Sequence, residues 1–237
     1  MDRQVADDIE ALTASTRTLQ RTIADLTDEQ VGTPSLLPGW TRGHVLTHLA
    51  RNADGFLNLL AWARTGVEQP MYVSQESRAA DIEAGAHRTA ADLIADVQES
   101  QDRLAAAIAD LDDDEYWRRV VRVGKADRER PAAQIPMIRR VEVEVHHVDL
   151  DLDYTLAHLP TDLVTAMLTD ITHDLSTRDD LAGFVLVAND DEGTWVVGDG
   201  GAEITGTPPS LLGWLLGRTQ GIGLHSDEPL PDLGPWR

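Results

Sequence analysis

The sequence predicts an α+β protein, with a helical bundle over residues 1–155 and a small α/β domain over residues 156–237. Three observations carry that prediction. Apolar residues recur near the 3.6-residue helical period through most of the N-terminal two-thirds. The pattern then changes to short apolar runs separated by Asp, Asn and Gly clusters, as strands and turns require. Composition, 42% hydrophobic and 26% charged over 237 residues, is that of a globular chain long enough to bury a real core.

The first helix is read from Val5, Ile9, Leu12, Leu19, Ile23 and Leu26, spaced as one apolar stripe. The two prolines and the glycine of TPSLLPG make residues 33–39 a loop, and Thr41 is placed to cap a second helix that runs to about Arg64, before Gly66 and Pro70. Residues 77–111 are rich in Ala, Leu, Glu, Asp, Arg and Gln without proline, which predicts one long third helix interrupted only by Gly85. The acidic run over residues 112–115 then reads as a solvated turn, and residues 115–130 as a charged, β-leaning link. Pro131 or Pro136 is suited to the first turn of a fourth helix that reaches Leu150. Within it Val141, Val143 and Val145 alternate with Glu142, Glu144 and His146 as a strand would, but Ile138, Val141, Val145 and Val148 also fit a helical stripe, and a bundle needs a fourth member.

Residues 161–176 predict a further helix, FVLVANDDEGTWVVGDGGAEITG predicts three short strands, and SLLGWLLGRT, after Pro208 and Pro209, predicts a short apolar helix. The glycines over residues 198–201 sit in too acidic a setting to cradle phosphate.

Charge and cysteine content narrow the function classes. With 41 acidic and 20 basic residues the formal charge is -21, which disfavours nucleic acid and anionic lipid as partners and leaves small molecules or basic proteins. No apolar run has the roughly 18 residues of a membrane span, and the start MDRQVADDIE lacks a signal-peptide pattern, so a cytoplasmic protein is expected. The chain has no cysteine. Any metal must therefore be held by His, Asp and Glu, and any thiol chemistry must use a thiol from outside.

On a helix Glu142 and His146 stand at i and i+4, one turn apart on one face, and Asp149 continues that face. His48, midway along the second helix, is placed to add a third ligand inside the bundle. Two imidazoles and a carboxylate suit a divalent ion of the zinc kind, and three protein ligands leave a position open for water or substrate. His44 competes with His48 because HVLTH is itself an i, i+4 pair, and His147 competes with His146. Trp40 and Trp214 could line a pocket but read first as packing anchors, and Arg88, Arg139 and Arg140 could bind an anionic substrate but read first as solvated helix residues or surface ion-pair partners.

The segments LPGWTRGHVLTHLARNADG, RRVEVEVHHVDLDLDY, TPPSLLGWLLGR and LPDLGPW together resemble the mycothiol-dependent maleylpyruvate isomerase family, and the likeness spans the chain. That resemblance implies a DinB-like four-helix metal-binding bundle followed by a small α/β domain. It implies zinc on His48, Glu142 and His146, mycothiol as thiol cofactor, and a small dicarboxylate substrate isomerised from maleylpyruvate to fumarylpyruvate. It also implies an active-site arginine from the C-terminal domain, which falls on Arg218 of WLLGR; a dicarboxylate bound by so acidic a chain needs local guanidinium donors. At a helix C-terminus Arg218 is equally suited to a purely electrostatic role toward the helix dipole. Two other functions fit the same residues: a mycothiol S-transferase on the same metal site, and a non-catalytic binding module in which Asp149 closes the coordination.

Overall fold

Most long helices of the first part begin at a short polar side chain that satisfies an amide left without an intrahelical partner. The computed structural model describes residues 2–124, 128–189 and 193–234. Asp2 caps α1 (Arg3–Ile23), and Thr27 forms a reciprocal capping box with Gln30 on α2 (Asp28–Val31). Thr41 caps α3 (Arg42–Thr65) as expected, and Gly66 ends it at φ 74°, a left-handed conformation that costs glycine little.

The single helix expected over residues 77–111 is two: α4 (Gln75–Gly85), capped by Ser74, and α5 (Ala90–Ala109), capped by Thr89. Local propensity favours helix on both sides of the break, which falls at Gly85, and tertiary packing accompanies it. A Cβ on Gly43 would lie 2.2 Å from the Ala86 carbonyl oxygen. The backbone of α3 thus presses directly on the chain where α4 ends, and Thr89 starts the next helix afresh.

Asp113 caps the short α6 (Asp114–Arg118), so the acidic run is a helix start rather than only a turn. The β-leaning link forms an antiparallel hairpin, β1 (Val120–Val123) with β2 (Arg128–Pro131), whose tip at residues 125–127 lies outside the described residues. Pro136 sits in the first turn of α7 (Ile135–Asp149), where a missing N–H removes no intrahelical bond. Its alternating valines do not make a strand, because Val143, Val145 and Val148 are all buried on a helix packed against α1 and α3.

Met1–Asp153 form one compact unit and Tyr154–Arg237 another. In the first, α3 packs on α5 and α7, and α1 packs on α7 and α5, which makes a four-helix bundle. Leu19, Leu46, Leu49, Phe56, Leu93 and Leu104 are buried at its centre. Each such side chain stabilises the fold by about 1.5–3 kcal/mol relative to an exposed one. Arg42 fixes α3 against the end of α7: its Nε donates to the Leu150 carbonyl and its Nη2 to the Asp151 carbonyl, both at 2.6 Å.

In the second unit β3 (Phe184–Ala188) lies between β4 (Thr194–Val197), antiparallel to it, and β5 (Ala202–Gly206), parallel to it. α8 (Thr161–Leu175) packs on β4 and on α9 (Pro208–Leu215), and Trp214 of α9 meets Phe184 edge-on at 5.6 Å, the packing role expected of it. The chain is thus α+β. Residues 190–192 of the expected strand region and residues 235–237 of the LPDLGPW tail lie outside the described residues. Among the described residues no helix is long and apolar enough to cross a membrane.

Candidate metal centre

The bundle brings His48 of α3 to the face of α7 that carries Glu142 and His146. His48 Nε2 lies 3.1 Å from Glu142 Oε2 and 3.0 Å from His146 Nε2, and His146 Nε2 lies 3.6 Å from Glu142 Oε2. Two imidazole nitrogens this close must share a proton or an ion. His48 is buried, His146 nearly so, and the Glu142 side chain is 31% exposed, so the cluster is open on the carboxylate side. Three donors of this kind could hold one divalent ion with a coordination position to spare.

Asp149 does not join the donors. It is fully buried, and its Oδ2 accepts from His146 Nδ1 at 2.8 Å, on the other side of the ring from Nε2. A carboxylate at Nδ1 leaves Nε2 directed at the cluster, the arrangement in which a metal-binding imidazole is oriented by its other nitrogen. His147 is buried and turned to α1, where its Nε2 meets Thr22 Oγ1 at 2.9 Å, and Glu144 falls outside the cluster on this helix.

His44, the other candidate on α3, serves a different group. Its Nδ1 accepts from the Thr41 amide at 3.1 Å, so its Nε2 carries the proton that it shares with Glu83 Oε2 at 3.2 Å. Glu83 also meets His87 Nε2 at 3.2 Å, and the side chains of Glu83 and His87 are each 69% exposed. These three donors are also within reach of a common ion. With the His44 proton on the ring nitrogen that faces Glu83, they form a hydrogen-bonded triad.

The ionisation of the centre follows from burial and from its neighbours. Burial, then the nearby His146, push the His48 pKa down from 6.5 to about 4, so His48 is neutral at physiological pH. Burial opposes charge on Glu142, but the adjacent His146 and His48 outweigh it and hold the carboxyl well below its ordinary range. Burial also opposes charge on His146, and there Asp149 and Glu142 prevail and raise it.

Several residues at the centre carried no sequence signal. Arg78 of α4 donates from Nη2 to His48 Nδ1 at 3.0 Å, and its guanidinium lies 5.4 Å from the centre of the Tyr72 ring. Burial raises the Tyr72 pKa, and Asn52 Nδ2 donates to the Tyr72 hydroxyl at 3.4 Å. Trp40 sits over both histidines, its ring 6.1 Å from His44 and 5.7 Å from His48, so it borders the centre rather than serving only as a packing anchor. Arg139 and Arg140, expected in solvent, are buried; Arg139 donates to Asn52 Oδ1 at 2.5 Å and Gln101 Oε1 at 3.3 Å, and burial lowers its pKa only to about 10, which leaves it charged. Arg88 is the ion-pair partner expected of it, with Asp96 at 2.6 Å. Arg218 follows α9 and donates from Nη1 to the Leu216 carbonyl at 2.8 Å.

Fold and site together define a four-helix-bundle protein with a His–Glu–His set able to take a divalent ion, joined to a small sheet domain. The family model described as "Mycothiol maleylpyruvate isomerase N-terminal domain" matches residues 12–151, and that described as "MDMPI C-terminal domain" matches residues 158–233. The chain belongs to the mycothiol maleylpyruvate isomerase family. A crystal structure of a mycothiol-dependent maleylpyruvate isomerase is similar over 100% of both chains, at 26% identity and a TM-score of 0.91. A mutant of that isomerase, with one histidine replaced by alanine, matches over 100% of both chains at 26% identity and a TM-score of 0.90. No curated protein matches the chain in sequence.

Proposed function

We propose that the chain is a cytoplasmic, mycothiol-dependent maleylpyruvate isomerase whose metal ligands are His48, Glu142 and His146. The observation that carries this reading is the convergence of those three donor atoms on one point of the bundle, in a chain that matches the family along both parts. The ion would be zinc, to judge from two imidazoles and one carboxylate, and when bound it supplies the positive charge that lowers the pKa of an external thiol. With no cysteine in the chain the thiol must come from outside, and the family match points to mycothiol.

The reaction has three balanced stages. The sulfur of mycothiol adds to one carbon of the maleyl double bond, and the electron pair moves to the conjugated carbonyl oxygen. The carbon–carbon bond, now single, rotates. The enolate then expels the thiol and restores the double bond in the trans form, fumarylpyruvate, with mycothiol regenerated.

The chain's residues have distinct parts in this scheme. His48 is neutral, so it can ligate by moving its one proton to Nδ1, with no net proton released. Asp149 orients His146, while Trp40 borders His48 and Tyr72 borders Arg78. The bundle over residues 1–155 would carry the metal, and residues 156–237 would contribute Arg218 as the guanidinium that binds a carboxylate or the developing enolate oxygen.

Incubation of the protein with maleylpyruvate tests the proposal. Fumarylpyruvate should form only when mycothiol is present, free thiol should be undiminished at the end, and a chelator should stop turnover. Accumulation of a stable thiol adduct would identify a transferase instead. Arg218→Ala should retain the metal and lose kcat/KM, and an unchanged kcat/KM would remove Arg218 from the mechanism.

A further inference from the structure

The contact between Arg78 and His48 is chemically incompatible with a metal on His48. Neutral imidazole has one N–H and one lone pair. To ligate through Nε2, His48 must place its proton on Nδ1, the atom to which Arg78 Nη2 donates at 3.0 Å. A guanidinium has donors only, so two N–H groups would then face each other. Metal binding therefore breaks this bond and frees the Arg78 fork beside the ion.

In a chain with 41 acidic and 20 basic residues, Arg51, Arg88, Arg103 and Arg178 each have a carboxylate within ion-pair distance. Among the described residues Arg78 has none within ion-pair distance: its neighbours are His48 and the Tyr72 ring. Arg42 and Arg139 also lack a carboxylate, but carbonyl and amide oxygens take up their guanidinium donors, whereas the hydrogen bond of Arg78 goes to the donor cluster itself. Arg78 is half-buried and directed at that cluster. Once released from His48, the Arg78 guanidinium stands beside the ion, and its planar fork matches a carboxylate in a bidentate geometry.

We propose that Arg78 is a metal-released anion-binding residue: in the metal-free chain it is held on His48, and metal on Nε2 transfers it to a carboxylate of the incoming substrate. The consequence is an ordered site in which carboxylate binding and metal binding support each other. This inference rests on the assignment of His48 as a metal ligand, and it concerns binding rather than turnover.

Zinc affinity, measured by competition with a chromophoric chelator, tests it without reference to activity. Loss of one charged hydrogen bond from the metal-free state should tighten zinc on Arg78→Met by about tenfold. Arg78→Gln should tighten it at least as much, because its amide oxygen can accept from Nδ1–H, and it serves equally if Arg78→Met folds poorly. Added maleate, a simple dicarboxylate, should tighten zinc on the wild type, with the reciprocal effect of zinc on maleate, and do so several-fold less on either variant. Weaker or unchanged zinc binding in both variants, or equal coupling to maleate in all three proteins, would overturn the role of Arg78. Zinc binding that is identical in the wild type and in His48→Ala would instead remove the ligand assignment beneath it.

Discussion

His146 and His48 belong to one centre but meet protons differently, and this gives the centre a defined pH dependence. A metal binds neutral imidazole, and His146 is raised above its ordinary value of 6.5 by Asp149 and Glu142 against the effect of burial. Below that raised pKa one proton must leave His146 for each ion bound, so apparent affinity should fall about tenfold per pH unit there and level off above it. His48, neutral down to about 4, adds a second proton only in strong acid. Calorimetric titration in buffers of different ionisation enthalpy measures the proton count directly, and a pH-independent affinity across the neutral range would exclude His146 as a ligand. Asp149 is the residue that holds this ring in place. Asp149→Asn should lower metal affinity by about 10–100-fold, the usual cost of losing an outer hydrogen-bond partner, while leaving one ion bound per chain at saturation.

At the scale of the elements, the site depends on how α3 is started and pressed into place. Thr41 caps the helix that carries His48, so Thr41→Ala should cost about 1 kcal/mol of stability in denaturant unfolding. Gly43→Ala should cost more, about 1–3 kcal/mol, because its Cβ would stand 2.2 Å from a backbone oxygen that has no rotamer by which to move away. The gain in helix propensity from alanine, about 1 kcal/mol at most, does not offset that overlap. The same contact explains what the sequence could and could not convey about the fold. Thr41 and Gly66 mark the ends of α3 by local chemistry, and both were legible. The break between α4 and α5 falls at Gly85, the interruption visible in the sequence, but the pressure of α3 on Ala86 that accompanies a full break comes from a distance in sequence that no local pattern reports. For α7 the alternating valines pointed to a strand and the wider stripe to a helix, and packing on α1 and α3 decides for the helix.

For the whole molecule, the charge of -21 sets a background of self-repulsion that salt should relieve. The melting temperature should rise as NaCl goes from about 0.01 M to about 0.1 M, over which the screening length shortens from about 30 Å to about 10 Å. A melting temperature that falls over this range would mean that its ion pairs outweigh the repulsion. The candidate site was legible in part on the helices: i, i+4 spacing paired Glu142 with His146, while the second helix offered both His44 and His48, between which the family resemblance chose. Arg78 and Tyr72 reach the same centre from a helix and from a loop with no fixed spacing to the donors, which is why only the folded chain reveals them. The most direct test of the account is the metal content of purified wild type and His48→Ala, each assayed in the same experiment for mycothiol-dependent isomerisation of maleylpyruvate. One ion per chain and turnover are expected in the wild type, and loss of both in the variant. Full metal occupancy with full activity in His48→Ala would contradict the assignment of His48 as a ligand.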